Sequence, residues 1–285
     1  MAQHDGSYKN IFSYPQMVQQ LLEGFVDQHW VADLDFSSLA KTSGHYVSDD
    51  LRERSDDLVW KARWKDTEVY IYLLLEFQST PDYFMAVRVS NYISLLYQDL
   101  IKSKSVKKGD KLPFVLPIVL HRGDELWDCV VDINDLVVES APELVQYKPS
   151  QKYLLIDVAA YENEALEAVH NMVSTLFQLE NSSDDTAVYL INRLYDLVKN
   201  GDNDLQWALK LWVEFVLAQK LEGVQLEQAQ TLGEVATMLA NNRIPWTQRW
   251  LEQGKAEGID EGISGSRYFC ESLFWASQPK QAAKT

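Results

Sequence analysis

Cysteine is almost missing from this chain: two in 285 residues, Cys129 and Cys270, far apart. That excludes a disulfide framework and a thiolate-built zinc site, and it fits two reduced thiols in a cytoplasmic protein. No run of about 18 consecutive apolar residues occurs, so no helix is expected to span a bilayer. The opening MAQHDGSYKN lacks the basic-then-apolar order of a secretory signal, and a cytoplasmic location is the expectation. Positive charge is also scarce, 26 Lys and Arg against 42 Asp and Glu, a net charge of −16. Contact with nucleic acid is largely electrostatic, so a chain this acidic would need a local basic surface to make one.

The acidity is uneven. Residues 1–111 carry 13 Lys and Arg against 16 Asp and Glu, net −3, whereas residues 112–285 carry 13 against 26. The first part is nearly neutral and holds the densest basic run, KSKSVKKGDK, with Lys102, Lys104, Lys107, Lys108 and Lys111. A solvated loop is the default for such a run, and it has no interleaved aromatics to stack on unpaired bases.

What is present in quantity is apolar material, 46% of the chain, ample for one main domain with a smaller appendage. The pattern centres on residues 55–82, SDDLVWKARWKDTEVYIYLLLEFQSTPD. Two runs rich in Val, Ile, Tyr, Trp and Leu, Asp57–Trp64 and Val69–Gln78, flank the polar Lys65–Glu68 and predict a β-hairpin. The second run is apolar on both faces until Glu76 and Gln78, which predicts a central strand. Alternation puts Glu76 and Gln78 on one face, and Asp57 starts the neighbouring strand. Oxygen ligands so grouped suit a hard divalent cation.

Around that hairpin, the chain predicts helices from Tyr8 to Gln28, interrupted or restarted at Pro15, and from Asp82 to Lys102. Residues 30–50 form a polar connector with one short strand ending at Val47. Phe114–Leu120 predicts a strand that Pro117 demotes to an edge or bulge, and Tyr153–Val158 another. Asn163–Leu179, Thr186–Lys199 and Leu205–Leu221 predict amphipathic helices, with Trp207, Trp212 and Phe215 between them. Arg88 shares the stripe of Met85 and Tyr92, so its charge needs a partner: a structural salt bridge, or carboxylates or phosphate at a site. Asp5 fits a helix cap, Glu23 a solvated helix face, and His121 core or rim packing. Gly254, Gly258 and Gly262 recur every four residues in the tail, a spacing for close helix approach or a frayed end.

The spacing D-(x18)-E-x-Q, together with HDGSYKNIF, YIYLLLEFQSTPDYFMAVRVSNY, LPFVLPIVLHRG and KYLLID, resembles the recombination-promoting nuclease, or YhgA-like transposase, family of the PD-(D/E)XK nuclease superfamily. The resemblance covers about residues 4–160. It implies an α/β fold: a PD-(D/E)XK restriction-endonuclease-like core, a mixed central sheet flanked by helices, followed by a mostly helical C-terminal region. The implied divisions are 1–160 for the nuclease-like domain, 161–245 for the helical region and 246–285 for the Gly-spaced tail. It further implies a metal-dependent DNA endonuclease linked to recombination or mobile elements. Mg²⁺ (or Mn²⁺ or Ca²⁺) would be held by Asp57, Glu76 and the backbone carbonyl of Phe77, with Gln78 and Arg88 completing the catalytic set. DNA would be met by Lys102, Lys104, Lys107 and Lys108, and a homodimer would serve double-strand scission. Gln78 departs from the superfamily's Lys and can only orient water, not take its proton. The alternative is a decayed nucleic-acid- or protein-binding module acting as an oligomeric interaction protein.

Overall fold

The computed structural model describes residues 2–26, 29–42, 57–65, 67–76, 80–123, 125–182, 184–220 and 229–239. One compact unit runs Met1–Ala236, and a second, Thr237–Thr285, lies almost wholly outside the described residues. The Gly-spaced tail is therefore outside them, as are His45 and Cys270.

Five strands make one mixed sheet in sequence order: β1 (Leu34–Lys41), β2 (Asp57–Trp64), β3 (Thr67–Glu76), β4 (Phe114–His121) and β5 (Leu154–Asp157). The first three pair antiparallel; β3–β4 and β4–β5 are parallel. The change of sense follows from the connections. A short turn can only reverse the chain, whereas α3 (Met85–Lys102) gives the long crossover that a parallel neighbour requires. The hairpin is tighter than the sequence implied: Trp64 pairs with Thr67, so Thr67 and Glu68 belong to β3. The connector holds β1, an eight-residue edge strand whose pairing with β2 shifts register between Asp35 and Ala40.

Pro117 does not mark an edge. β4 is central, and Pro117 stands opposite Tyr72. β5 joins only from Ile118 onward, so at Pro117 the strand has a neighbour on one side alone, which spares the missing N–H.

α3 covers one face of the sheet through Met85, Val89, Tyr92, Ile93, Leu96 and Leu100, which pack with Tyr70, Val115 and Val119. Each such side chain, fully buried, contributes roughly 1.5–3 kcal/mol of transfer free energy. The opposite face buries Leu58, Trp60, Ile71, Leu73, Ile118, Leu120 and Ile156. There the Trp60 indole donates to the Phe12 carbonyl (3.2 Å), at the junction of α1 (Ala2–Ile11) and α2 (Pro15–Phe25). Pro15 opens α2 in the first turn, where its absent N–H costs nothing.

The helix expected over Asn163–Leu179 splits in two. His170 takes a left-handed conformation (φ 49°) and ends α4 (Asn163–Val169), after which Asn171 and Ser174 form a reciprocal capping box for α5 (Met172–Asn181). Asn171 also donates to the Gln20 carbonyl of α2 (2.9 Å). Gly24 is required at that crossing: a β-carbon there would meet Asn171 Nδ2 and Val169 Cγ1, both at 2.8 Å. α6 (Asp184–Val198) and α7 (Asn203–Lys220) complete the helical layer, with α7 against α1. Trp212 is buried as expected, but Trp207 is 50% exposed, its ring covered by the Lys210 ammonium. It lines a small cavity with Tyr195, Gln230 and Leu232.

Candidate active site at the carboxyl ends of the parallel strands

Three strands run apolar until their last residue and then end on an ionisable one: LLLE in β3, IVLH in β4 and LLID in β5. The register aligns those ends. Glu76 stands opposite His121, and His121 opposite Asp157. Directly opposed residues share a face, so positions 76, 121 and 157 form one row on the side that α3 covers. β2 adds a fourth member. Asp57 pairs with Leu74, two residues before Glu76, which puts positions 57 and 76 on the same face as diagonal neighbours. Such pairs stand roughly 7–8 Å apart, within reach of longer side chains. The side chains of Asp57 and Glu76, with residues Phe77 and Gln78, lie outside the described residues. Among the described residues no group of three or more His, Cys, Asp or Glu is placed to hold a metal.

Arg88 comes to this end of the sheet in the first turn of α3. Its Nη1 donates to Asp82 Oδ2 at 2.7 Å, with about a quarter of each side chain exposed. Asp82 also accepts from the Phe84 N–H (2.9 Å), which fixes the chain as it enters the helix. The inward arginine thus has the salt bridge its stripe demanded. Lys61, which shares this face of β2 with Asp57, pairs with Glu68 (2.6 Å). Glu23 is exposed and accepts from Gln19 (2.9 Å), a helix-surface contact.

His121 is fully buried. Its Nε2 lies 3.0 Å from the Glu125 carbonyl oxygen, an acceptor, so Nε2 carries the proton. Nδ1 is buried and has no hydrogen-bond partner among the described residues. The Trp127 ring packs edge-on against the imidazole, centroids 4.9 Å apart. Asp157 holds that lid: Oδ2 accepts from Trp127 N–H (2.9 Å) and Oδ1 from Ala159 N–H (3.3 Å). Behind the row, Arg122 pairs with buried Glu180 of α5, next to Tyr8 of α1. Burial, and then the Glu180 carboxylate, push the Tyr8 phenol well above its ordinary range. His121 was expected to pack; its alignment with Glu76 was not. The available signal was the repeated ending of apolar strands on E, H and D.

The lysine run is elsewhere. α3 carries the chain back along the sheet, and the loop returns to Phe114, which pairs with Val69. From Val69 to Glu76 is seven residues, about 23 Å of strand. Lys102, Lys104, Lys107 and Lys108 thus stand at the opposite end of the sheet from Asp57 and Glu76.

The fold is a mixed α/β sheet with a row of acids and a histidine at one end, and comparison with known proteins gives its family. Residues 2–208 match the family model described as "Putative transposase, YhgA-like", and the chain belongs to that family. It is similar to recombination-promoting nuclease RpnD of Escherichia coli O157:H7, 22% identical over 66% of this chain and 79% of that one. It is similar to recombination-promoting nuclease RpnA of Escherichia coli K12, 27% identical over 57% of this chain and 54% of that one, so it spans about half of RpnA. A third relative, 23% identical over 71% of this chain and 67% of its own length, is named an inactive recombination-promoting nuclease-like protein, RpnE of the K12 strain. No solved structure matches.

Proposed function

We propose that this chain is a metal-dependent DNA endonuclease with a PD-(D/E)XK-like core, acting in recombination. The observation that carries the proposal is the register: Asp57 and Glu76, with 18 residues between them, fall as diagonal neighbours on one face at the carboxyl end of a central strand. The relatives' names supply the reaction class. Asp57, Glu76 and the carbonyl of Phe77 would hold Mg²⁺ (Mn²⁺ or Ca²⁺ as substitutes), an all-oxygen set suited to a hard cation that keeps waters. When bound, such an ion lowers the pKa of a coordinated water and neutralises charge on the scissile phosphate. Gln78 orients the attacking water by hydrogen bonding. Arg88, already tied to Asp82, contributes a fixed positive field at the same end of the sheet.

The active protein is proposed to be cytoplasmic and to act as a homodimer on duplex DNA. Among the described residues no helix is long and apolar enough to cross a membrane. The second reading, a binding module without catalysis, is favoured by Gln78 in place of a charged residue and by a relative named inactive. Supercoiled plasmid with Mg²⁺ or Mn²⁺ separates the two. Nicking by the parent that Asp57→Ala and Glu76→Ala each abolish supports the endonuclease. DNA retention without nicking supports the binding module, and equal nicking by parent and variants sinks both metal-ligand assignments.

A further inference from the structure

The lysine loop looked bare of aromatics in sequence, yet the fold supplies them. At the sheet end opposite Glu76, a cavity of about 500 Å³ is lined mostly by apolar side chains, Trp30, Leu34, Trp64, Ile71 and Phe114 among them, and also by Thr67 and Glu68. The register explains it: Leu34 pairs with Trp64, Trp64 with Thr67, and Val69 with Phe114. One face of four adjacent strands therefore presents its apolar side chains together. The volume falls within the range of small-ligand pockets. Phe114 is 63% exposed, and Leu112 beside it 46%. These are unusual exposures for apolar groups that open a central strand.

The loop ends directly on Phe114, and Lys111 is three residues away, at most about 10 Å of chain. Lys102, Lys104, Lys107, Lys108 and Lys111 have no ion-pair partner among the described residues, whereas Lys61 and Lys65 nearby are paired with Glu68 and Asp33. The loop is a built structure. Val106 N–H bonds the Leu100 carbonyl (3.0 Å), Asp110 accepts from Lys107 N–H (2.9 Å), and Lys104 and Gly109 take positive φ (60° and 104°). A chain of net charge −16 thus holds, in the loop that runs into Phe114, five lysines with no ion-pair partner among the described residues, and Phe114 in turn lines a cavity that also holds two indoles.

We infer that this end of the sheet is a binding site for single-stranded nucleic acid. One unpaired base enters the cavity against the Trp64 and Phe114 rings, and the flanking phosphates meet the lysine loop. Flat apolar walls with an adjacent cationic loop match a base and its backbone. A duplex has no free base to offer. The site is independent of the proposed metal centre, some 23 Å along β3, roughly seven nucleotides at duplex spacing. It would hold a displaced strand while the acids face another part of the substrate.

The test is fluorescence anisotropy of a labelled oligothymidylate with the full chain, in chelator, across a salt series. Without metal no cleavage occurs, so the result stands whether or not the chain is a nuclease. Phe114→Ala should weaken binding about 5- to 150-fold, the range for losing one stacked base, with the salt slope unchanged. Each of Lys107→Gln and Lys108→Gln should lower the slope of log K against log salt by about 0.7. The same sequence as a duplex should bind more weakly and ignore Phe114→Ala. Absence of binding by a folded parent overturns the inference, as does equal affinity of the Phe114 variant. So does a sedimentation dimer that Phe114→Ala dissolves, because that assigns the cavity to a second copy.

Discussion

Asp132 holds the approach to β5, and its removal gives a sharp test of how the strand-end row is positioned. Its Oδ1 accepts from the N–H groups of Asn134 (2.9 Å) and Gln151 (3.2 Å), and its Oδ2 from the Ser150 hydroxyl (3.3 Å). Lys152 Nζ lies 3.9 Å away. The carboxyl thereby ties residues 132–134 to 150–152, just before the strand that ends in Asp157. The Asn134 N–H first, then the Gln151 N–H, Ser150 and Lys152, hold the carboxyl below the ordinary aspartate range against a smaller opposing effect of burial.

Asp132→Ala leaves two half-buried N–H groups without their charged acceptor. At about 1.5 kcal/mol each, the low end for bonds to a charged group because water replaces part of them, the cost is about 3 kcal/mol. Asp132→Asn keeps an acceptor and should cost about 1 kcal/mol. The pH dependence has a definite sign. A folded-state pKa below the unfolded value of about 3.9 means the charge contributes fully above that value, and the contribution is lost as pH falls through the lower folded value. Urea midpoints at constant m report both effects. The gap between parent and Asp132→Asn should be full near neutrality and close below about pH 4. An alanine variant within about 0.5 kcal/mol of the parent, or a gap unchanged by acid, would refute the reasoning.

Gly24→Ala should destabilise by about 1–3 kcal/mol, because its methyl must displace the capping Asn171 or the Val169 side chain; a thermal melt matching the parent would mean α2 and α5 separate freely. Tyr153, whose hydroxyl donates to the Val130 carbonyl (3.0 Å) and accepts from Trp127 Nε1 (3.1 Å), is pushed up to about 12 by burial. A raised folded value means its contribution is full below about pH 10 and lost toward pH 12, so Tyr153→Phe should flatten the alkaline loss of stability. Identical alkaline profiles for the two proteins would place the sensitivity elsewhere.

Much of the sheet was legible along the chain, because apolar period and strand length are local properties. The hairpin, the helix ending at Lys102 and the strands expected at Phe114–Leu120 and Tyr153–Val158 all follow from pattern, and each lies within two residues of the observed end. So does the pairing of Asp57 with the segment holding Glu76, since a tight turn leaves a hairpin few choices of register. Three features were not legible. Pro117 argued for an edge, but whether a strand has one neighbour or two at a given residue depends on how far the next strand reaches. Trp207 had the composition of a core residue, yet it lines a small cavity beside Tyr195 and Leu232 and stays half exposed. The lysine loop follows the acid-bearing strand within some 26 residues, and a helix carries it to the far end of the sheet. Sequence alone determined which segments would be strands and which acids could share a face, because alternation and short turns act between near neighbours. Only the tertiary structure decided that Glu76, His121 and Asp157 align, and that the lysine loop returns to Phe114 at the other end of the sheet. Both arrangements arise from the parallel register, which depends on how an 18-residue crossover helix packs over the sheet.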